Sequence, residues 1–233
     1  MKQNLLLLHG ALSSMAQMES LKIKLAEKFT VYSFNFPGHG GNKIQEEGIT
    51  MDELADSIIA FLDENKILAT NIFGYSMGGY AALKCALKHP TRIKQIICLG
   101  TKFDWSETAL HVELNRLNED FLVEKAASFI EEIKELHKPT DWRDMLKLTR
   151  DMMTNLSRVQ ALTDREFEQI TTKVKLLLGD QDSMVSLAET NSTCSKFKNC
   201  SLEILEKTKH PLGKVDLELL AEKISQEIEG NTI

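Results

Sequence analysis

The sequence predicts an α/β fold built on a mostly parallel, twisted sheet of about six strands flanked by helices. Up to residue 100, short apolar runs alternate with segments whose apolar residues recur at helical spacing. About 70 residues with helical periodicity alone then follow, and the strand–helix alternation resumes at residue 173. We therefore expect an all-helical cap inserted after the fourth strand, with residues 1–102 and 172–233 forming the core and residues 103–171 forming the cap.

The predicted strands are apolar runs that end at turn signals. Four of them precede the cap, at residues 4–10 (NLLLLHG), 29–36 (FTVYSFNF), 69–75 (ATNIFGY) and 93–100 (IKQIICLG). Two follow it, at residues 173–180 (KVKLLLGD) and 201–207 (SLEILEK).

The predicted helices of the core alternate with these strands and cover residues 13–29, 51–65, 77–89 and 212–228. Ser14 and Gln17 have the spacing of a capping box, which predicts the start of the first helix. Pro90 predicts the end of the third helix.

The composition excludes several classes of protein. The 233 residues carry a formal charge of −6 and show no basic stripe, so we expect no nucleic-acid partner. The four leucines near the N-terminus are too few for a signal peptide, and no stretch is long enough for a membrane span.

Four cysteines are present, and none of their spacings is that of a metal site or a redox motif. Cys85 and Cys98 lie in apolar periodic segments, so we expect buried thiols. Cys194 and Cys200 would pair only in an exported protein. A reducing cytoplasm is the interpretation that we adopt.

Ser76 stands at the junction between the third predicted strand and the helix that follows it, in Gly74-Tyr75-Ser76-Met77-Gly78. A sharp strand–turn–helix exposes a serine hydroxyl and aims a helix N-terminus at the same point, and glycines permit the close backbone approach. A serine becomes nucleophilic only when a base takes its proton and donors hold the anion that forms. The alternative is a glycine-rich turn with an incidental serine.

In this context the G-x-S-x-G pattern resembles that of the α/β-hydrolase family, and the likeness extends over nearly the whole chain. His9-Gly10-Ala11-Leu12 matches the family's motif after the first strand, and Phe36-Pro37-Gly38-His39-Gly40 is similar to its turn after the second. The resemblance implies that the backbone N–H groups of Ala11 and Met77 donate to the oxyanion of the reaction.

Six histidines compete for the role of the base: His9, His39, His89, His111, His137 and His210. The first two belong to loop motifs, where structural hydrogen bonds explain them. His89 ends a helix at the edge of the sheet opposite Ser76, and we expect His111 and His137 to be solvated on the cap. His210 follows the last strand and alone completes the order serine, acid, histidine, although Lys209 replaces the glycine that the family commonly has before it.

The family's acid usually corresponds to the second aspartate of Asp180-Gln181-Asp182, so the resemblance implies Asp182. Its role would be to orient the imidazole and to stabilise the imidazolium. Asp180 is better explained as a turn residue at the strand end. Asp104, just after the fourth strand, is the rival acid.

The cap is expected to cover the crevice above Ser76. Its large apolar residues offer an apolar underside, and we select Leu12, Trp105 and Met145 as substrate-binding residues. For any single one of the cap residues, packing of the cap helices against one another is the stronger explanation. The cap arginines, Arg143, Arg150 and Arg158, would bind an anionic substrate group or, as the stronger explanation, lie on solvated helix faces.

We therefore predict a serine hydrolase that cleaves a small or medium carboxylic ester, or a thioester, through an acyl-enzyme on Ser76. We expect a small-molecule ester as its substrate, no metal or other cofactor, and a monomer or homodimer. Two alternatives stay open. One is a lyase or thioesterase that acts on a biosynthetic intermediate with the same triad, and the other is a small-molecule sensor with the hydrolase fold.

Overall fold

The computed structural model of the protein describes residues 2–44 and 48–230. For Gln160, it describes the backbone but not the side chain. Within these residues, six parallel strands form one sheet in the order β2-β1-β3-β4-β5-β6. The strands are β1 (Gln3–Leu8), β2 (Phe29–Ser33), β3 (Thr70–Tyr75), β4 (Ile93–Leu99), β5 (Lys173–Gly179) and β6 (Cys200–Leu205). The predicted fold class is confirmed.

Helices cover both faces of the sheet. The core helices are α1 (Glu19–Leu25), α2 (Met51–Glu64), α3 (Met77–Lys88), α9 (Leu187–Cys194) and α10 (Leu217–Glu229). α1 packs against α10, and α2 packs against α3. The two pairs lie in separate apolar clusters, one on each face.

Alternation along the strands divides the core between these two faces. In β1, Leu5 and Leu7 belong to the cluster of α1 and α10, whereas Leu6 and Leu8 belong to the cluster of α2 and α3. All four side chains are fully buried. A run of four leucines therefore fits a central strand that is covered on both sides.

Only helices and turns connect β4 to β5 in the described part of the chain. They are α4 (Glu107–Arg116), α5 (Glu119–Lys125), α6 (Ala127–His137), α7 (Trp142–Asn155), a π-helical turn (Leu156–Gln160) and α8 (Asp164–Gln169). This segment is the helical cap expected from the sequence. Its boundaries as a domain, residues 103–171, stay a prediction.

The helix expected at residues 13–29 is shorter than predicted. A 3-10 turn (Met15–Met18) precedes α1, and Ser14 caps that turn by accepting from the backbone N–H of Ala16. The prediction of a capping box is wrong, because the Gln17 carboxamide oxygen instead accepts from the N–H of Gly10 at 3.1 Å. The last helix likewise starts later, at Leu217, where the Asp216 carboxylate caps it.

The structure joins Cys194 to Cys200 in a disulfide, which corrects the expectation that both remain free thiols. Cys194 ends α9 and Cys200 begins β6, so the turn between the two elements brings their Cα atoms to 5.6 Å. Cys85 and Cys98 are buried thiols as expected, and burial raises the pKa of each to about 12. No helix of the described residues is both long and apolar enough to cross a bilayer.

Candidate active site

A small cavity opens at the carboxyl edge of the sheet, beneath the cap. Ala11 after β1, Ser76 after β3 and His210 after β6 line it together, and so does Met77 at the start of α3. β1 and β3 are adjacent in the sheet although the chain visits β2 between them. The cavity therefore lies at the switch point of the strand order, where open parallel sheets bind their ligands.

Ser76 occupies a strained turn between β3 and α3. Its backbone has φ 51° and ψ −114°, a conformation that non-glycine residues rarely adopt. Its N–H donates to Leu99 O at 2.9 Å. Its carbonyl accepts from the Thr101 hydroxyl at 3.0 Å and from the N–H groups of Gly79 and Tyr80 at 3.1 and 3.3 Å. The sharp strand–turn–helix that the sequence predicts at Ser76, here called the elbow, is therefore present in the structure.

Two glycines make this turn possible by close approach. A Cβ on Gly74 would lie 2.5 Å from the Cα of Gly79, and a Cβ on Gly78 would lie 2.6 Å from the carbonyl oxygen of Leu8. Such distances are well inside van der Waals contact, so α3 can start this close to β1 and β3 only without these side chains.

His210 and Asp182 form a buried pair. The Nδ1 of His210 lies 2.7 Å from Oδ2 of Asp182, and the two side chains are 7% and 2% exposed. The other carboxylate oxygen of Asp182 accepts from the N–H groups of Met184 and Val185 at 2.8 and 2.9 Å. Burial alone would raise the pKa of Asp182, but the hydrogen bond and charge of His210, together with these amides, outweigh it and lower the pKa.

This pairing fixes the tautomer of the imidazole. An ionised carboxylate can only accept a hydrogen bond, so Nδ1 carries the proton and Nε2 is the lone-pair nitrogen. His210 and Ser76 line the same cavity.

Two residues that sequence reasoning missed support this pair. The Tyr75 hydroxyl donates to the backbone carbonyl of His210 at 2.9 Å, and the two rings are 5.5 Å apart. Gly100, at φ 60°, lies so close that a Cβ there would be 3.2 Å from Nδ1 of His210. Tyr75 reads in the sequence as an ordinary strand residue, so no local signal identifies it.

Ala11 and Met77 carry the two backbone N–H groups predicted to donate to the oxyanion. Both residues line the cavity, and Met77 is the first residue of α3, where the helix dipole favours negative charge. Neither N–H donates a hydrogen bond to another group of the described residues. On the other side of Ala11, Leu12 has φ 56°.

Comparison with known proteins agrees with this architecture. A family model described as the alpha/beta hydrolase fold matches residues 3–117, which include β1 to β4 and the turn at Ser76. The chain has the α/β-hydrolase fold.

Among curated proteins, this hydrolase-fold chain is 34% identical over 110 residues to a pimeloyl-[acyl-carrier protein] methyl ester esterase from Pseudoalteromonas atlantica, covering 44% of this chain and 41% of that one. It is 24% identical over 194 residues to 3-oxoadipate enol-lactonase 2 from Acinetobacter baylyi, covering 77% and 72%. The chain spans less than half of the length of the curated relatives that match at 34% or 35% identity, namely 19%, 22% and 41%.

Among solved structures, the chain is similar to 2-hydroxy-6-oxo-6-phenylhexa-2,4-dienoate hydrolase from Rhodococcus sp. strain RHA1. The TM-score is 0.82 with 17% identity, covering 98% of this chain and 91% of that one. At this identity the likeness extends to the α/β-hydrolase fold and no further.

The three predicted substrate-binding residues have different positions in this hydrolase fold. Trp105 lines the cavity. Met145 does not, because its side chain is fully buried among the apolar residues of α7 and the core. Leu12 is also in the core and outside the cavity lining. Besides Trp105, the apolar residues in the wall include Tyr80, Met152, Met153, Leu156 and Val185.

The cap arginines are engaged elsewhere or exposed. Arg143 pairs with Glu119 at 2.6 Å and lies over the Trp142 ring, and Arg150 donates to the carbonyl of Leu114 at 2.6 Å. None of the three lines the cavity. The charged residues in its wall are Lys102 and Glu113, whose charged atoms are 3.7 Å apart.

The remaining candidates separate clearly. The Asp180 carboxylate accepts from the N–H of Thr208 at 3.0 Å, as expected of a residue that closes the strand end. Asp104 is exposed and accepts from the N–H of Ser106, on its own loop. Within the described part of the chain, no cluster of three or more His, Cys, Asp or Glu side chains is arranged to hold a metal ion.

Among the histidines, one expectation is wrong. His111 is exposed on α4, as expected, but His137 is completely buried. The end of α6 turns inward, and His137 packs against the loops that follow β1 and β2 rather than facing solvent.

Proposed function

We propose that the chain is a serine hydrolase that cleaves a carboxylic ester with a short acyl group, through an acyl-enzyme on Ser76. The proposal rests on one arrangement. A serine on a strained strand–helix turn, a histidine bonded to a buried aspartate, and the backbone N–H groups of Ala11 and Met77 border the same cavity.

In the proposed reaction, Ser76 Oγ attacks the ester carbonyl while Nε2 of His210 takes the hydroxyl proton. The C–O double bond opens to an oxyanion, which accepts hydrogen bonds from the N–H groups of Ala11 and Met77. His210 then gives its proton to the leaving alkoxide as the tetrahedral intermediate collapses to the acyl-enzyme. Water, deprotonated by His210, attacks this ester in turn, and release of the carboxylic acid restores Ser76.

The size of the cavity supports a short acyl group. Its volume is about 40 Å³, far below the roughly 300–1,000 Å³ of pockets that hold drug-sized ligands. The wall is largely apolar, which suits an alkyl chain better than a charged one. The names of two relatives, a methyl ester esterase and an enol-lactonase, are consistent with ester cleavage.

A thioester is compatible with the same steps, since the carbonyl is attacked in the same way and the leaving group differs only in its sulfur. No feature of the described site distinguishes the two. The proposal therefore covers esters first, and a panel that contains both substrate types decides between them.

The location and assembly that we propose are the cytoplasm and a monomer or homodimer. The Cys194–Cys200 disulfide points the other way on location, because disulfides rarely persist in a reducing compartment. The mass of the two-cysteine peptide, isolated under alkylating conditions without reductant, determines whether this bond forms in cells.

The function is tested by turnover and by covalent labelling. Purified protein should hydrolyse p-nitrophenyl acetate and should react with a fluorophosphonate probe at Ser76, as identified by peptide mass spectrometry. Ser76→Ala should reduce turnover by about a millionfold and abolish labelling. The exposed Ser201→Ala is the matched control and should change neither.

The proposal fails if the wild-type protein neither labels nor turns over any member of a panel of esters and thioesters with two to eight acyl carbons. Tight binding of a small molecule by Ser76→Ala, combined with no turnover of that molecule by the wild type, would indicate a sensor instead.

A further inference from the structure

Three buried histidines form a continuous row of ring contacts between the cap and the loops that follow β1 and β2. His9 lies in the loop after β1, His39 in the loop after β2, and His137 at the end of cap helix α6. They are 0%, 2% and 0% exposed. The ring centroids of His9 and His39 are 5.2 Å apart, and those of His39 and His137 are 5.8 Å apart.

The hydrogen bonds of His9 define its ring as neutral, and that of His39 places a proton on its Nδ1. His9 has the Gly10 carbonyl 2.8 Å from Nδ1, and its Nε2 accepts from the N–H of Phe36 at 3.1 Å. His39 has the Pro37 carbonyl 3.0 Å from Nδ1. A carbonyl can only accept, so both rings carry their proton on Nδ1.

His137 carries its proton on the other nitrogen. Its Nδ1 accepts from the N–H of Gly40 at 3.0 Å, so the neutral ring is protonated at Nε2. Nε2 is buried and has no hydrogen-bond partner among the described residues. A single cap side chain thus accepts a hydrogen bond from the loop that contains Gly40 and contacts His39, which in turn contacts His9 in the loop that contains Leu12.

The second of these loops is the one that presents the N–H of Ala11. Gly10 precedes Ala11, and its N–H donates to the Gln17 side chain while its carbonyl accepts from His9. On the other side, Leu12 has φ 56°, a strained conformation that persists only when its surroundings hold it. From the cap, His137 reaches this loop through His39 and His9.

We propose, on the basis of the function proposed above, that His137 is a positioning residue through which the cap fixes the loop of Ala11 in the shape that stabilises the oxyanion. The ring acts in its neutral form, with Nδ1 accepting from the N–H of Gly40 and the ring in contact with His39.

A second proton on His137 would break this arrangement. It would put a donor on Nδ1 opposite the N–H of Gly40, so that one hydrogen bond becomes a donor–donor contact. Burial lowers the pKa of His137, and the Leu12 carbonyl opposes that shift only in part. Burial and mutual repulsion likewise lower the pKa of His9 and of His39.

The groups near these histidines do not favour protonation. Among the described residues, the titratable side chains that face His137 from the loops packed against it are His39 and His9, and neither supplies a negative charge. On its own helix end, Lys134 pairs with Glu131 and Lys138 pairs with Glu135, at 2.6 Å each. Acidification should therefore release His137 and disorder the loop of Ala11.

The kinetic test compares three variants on a short p-nitrophenyl ester at pH 7.5 and pH 5.5. His137→Phe keeps the ring but loses both nitrogens, and it should lower kcat about 10–100-fold while KM changes less than threefold, since the oxyanion donor acts mainly in the transition state. His137→Asn keeps a donor and an acceptor and should retain more activity than His137→Phe, without the acid loss attributable to His137. His111→Gln, on the exposed face of the cap, is the control and should behave as wild type.

The structural test does not depend on activity. In the Ser76→Ala background, hydrogen exchange at residues 9–12 should be at least tenfold faster in His137→Phe, with no change in α10. Histidine ¹⁵N spectra of the Ser76→Ala protein should show His137 as the neutral Nε2–H tautomer at pH 6. This measurement needs no variant at position 137, so it remains decisive if the variants fold poorly.

An unchanged kcat together with unchanged exchange in a folded His137→Phe would overturn the inference. So would a His137 ring that is protonated, or protonated at Nδ1 alone, at pH 6. If instead the wild type neither labels nor turns over esters, the proposed function fails, while the exchange and ¹⁵N results still decide whether His137 holds the loop.

Discussion

Asp182 and His210, which are 28 positions apart in the chain, meet through a 2.7 Å contact between Oδ2 and Nδ1. Both lie in loops at the carboxyl edge of the sheet, after β5 and after β6, and these strands pair in parallel register from Val174–Cys200 to Gly179–Leu205. The register places both strand ends side by side. A separation that looks large in the sequence is therefore set by two adjacent strands.

The first prediction concerns this pair. Asp182→Asn should reduce kcat for a short p-nitrophenyl ester by about 10⁴-fold, because an amide cannot hold His210 in the tautomer that accepts the proton of Ser76. Asp180→Asn is the matched control, because its amide oxygen can still accept from Thr208, and it should stay within a few-fold of wild type. Equal, small losses in both variants would contradict the role of Asp182.

The second prediction tests the elbow. In Gly78→Ala the new methyl group meets the carbonyl oxygens of Leu8 and His9 at 2.6 and 2.7 Å. Overpacking of this kind should lower the free energy of unfolding by about 1–3 kcal/mol, despite the better helix propensity of alanine. Urea denaturation measures the change.

Gly213→Ala serves as the control for that experiment. No atom lies within 4 Å of a Cβ at this position, so the variant should be neutral or slightly stabilising. If both glycine variants unfold at the same urea concentration as wild type, α3 does not need the close approach to β1 that the structure has.

The sheet and the elbow could be predicted because their signals are local. The run of four leucines in β1 and the pattern Gly74-Tyr75-Ser76-Met77-Gly78 each constrain the backbone within a few residues. The cap was predicted in outline for the same reason, since helical periodicity continues over the whole insertion.

The missed features depend on packing between distant segments. His137 looks like a solvated residue near a helix end, and only the docking of α6 against two loops buries it. Tyr75 looks like any strand residue until its hydroxyl reaches the carbonyl of His210. Met145 and Met153 are both apolar residues of α7, but only the latter lines the cavity. The sequence pattern does not determine how the helix is rotated.

The third prediction concerns stability in acid. The pKa of His9 falls from 6.5 to about 3, and that of His39 falls to about 4, because burial and the neighbouring histidines disfavour the charged rings. The unfolded chain binds these protons near pH 6.5 and the folded chain does not. Stability is therefore fully present above pH 6.5 and is lost as the pH falls towards 4.

At pH 5 each of these histidines should lower the free energy of unfolding by up to about 2 kcal/mol relative to pH 7.5. Urea denaturation at pH 7.5, 6.0 and 5.0 measures this loss. His39→Gln should show a shallower dependence than wild type, and His111→Gln should not. A wild-type free energy of unfolding that is flat from pH 7.5 to pH 5.0 would mean that His9 and His39 are protonated in the folded protein.

The fourth prediction concerns the acyl group. Met153 lines the cavity from α7 and is half-buried, so Met153→Ala should enlarge the site without opening the core. The ratio of kcat/KM for p-nitrophenyl hexanoate to that for the acetate should then rise about tenfold, the usual range for one or two methylene groups in an apolar pocket. Met15→Ala, which truncates an exposed side chain outside this cavity, should leave the ratio unchanged. The same ratio in Met153→Ala and wild type would place the acyl chain somewhere other than this cavity, and the argument from its volume to a short acyl group would fail even if Ser76 proves to be the nucleophile.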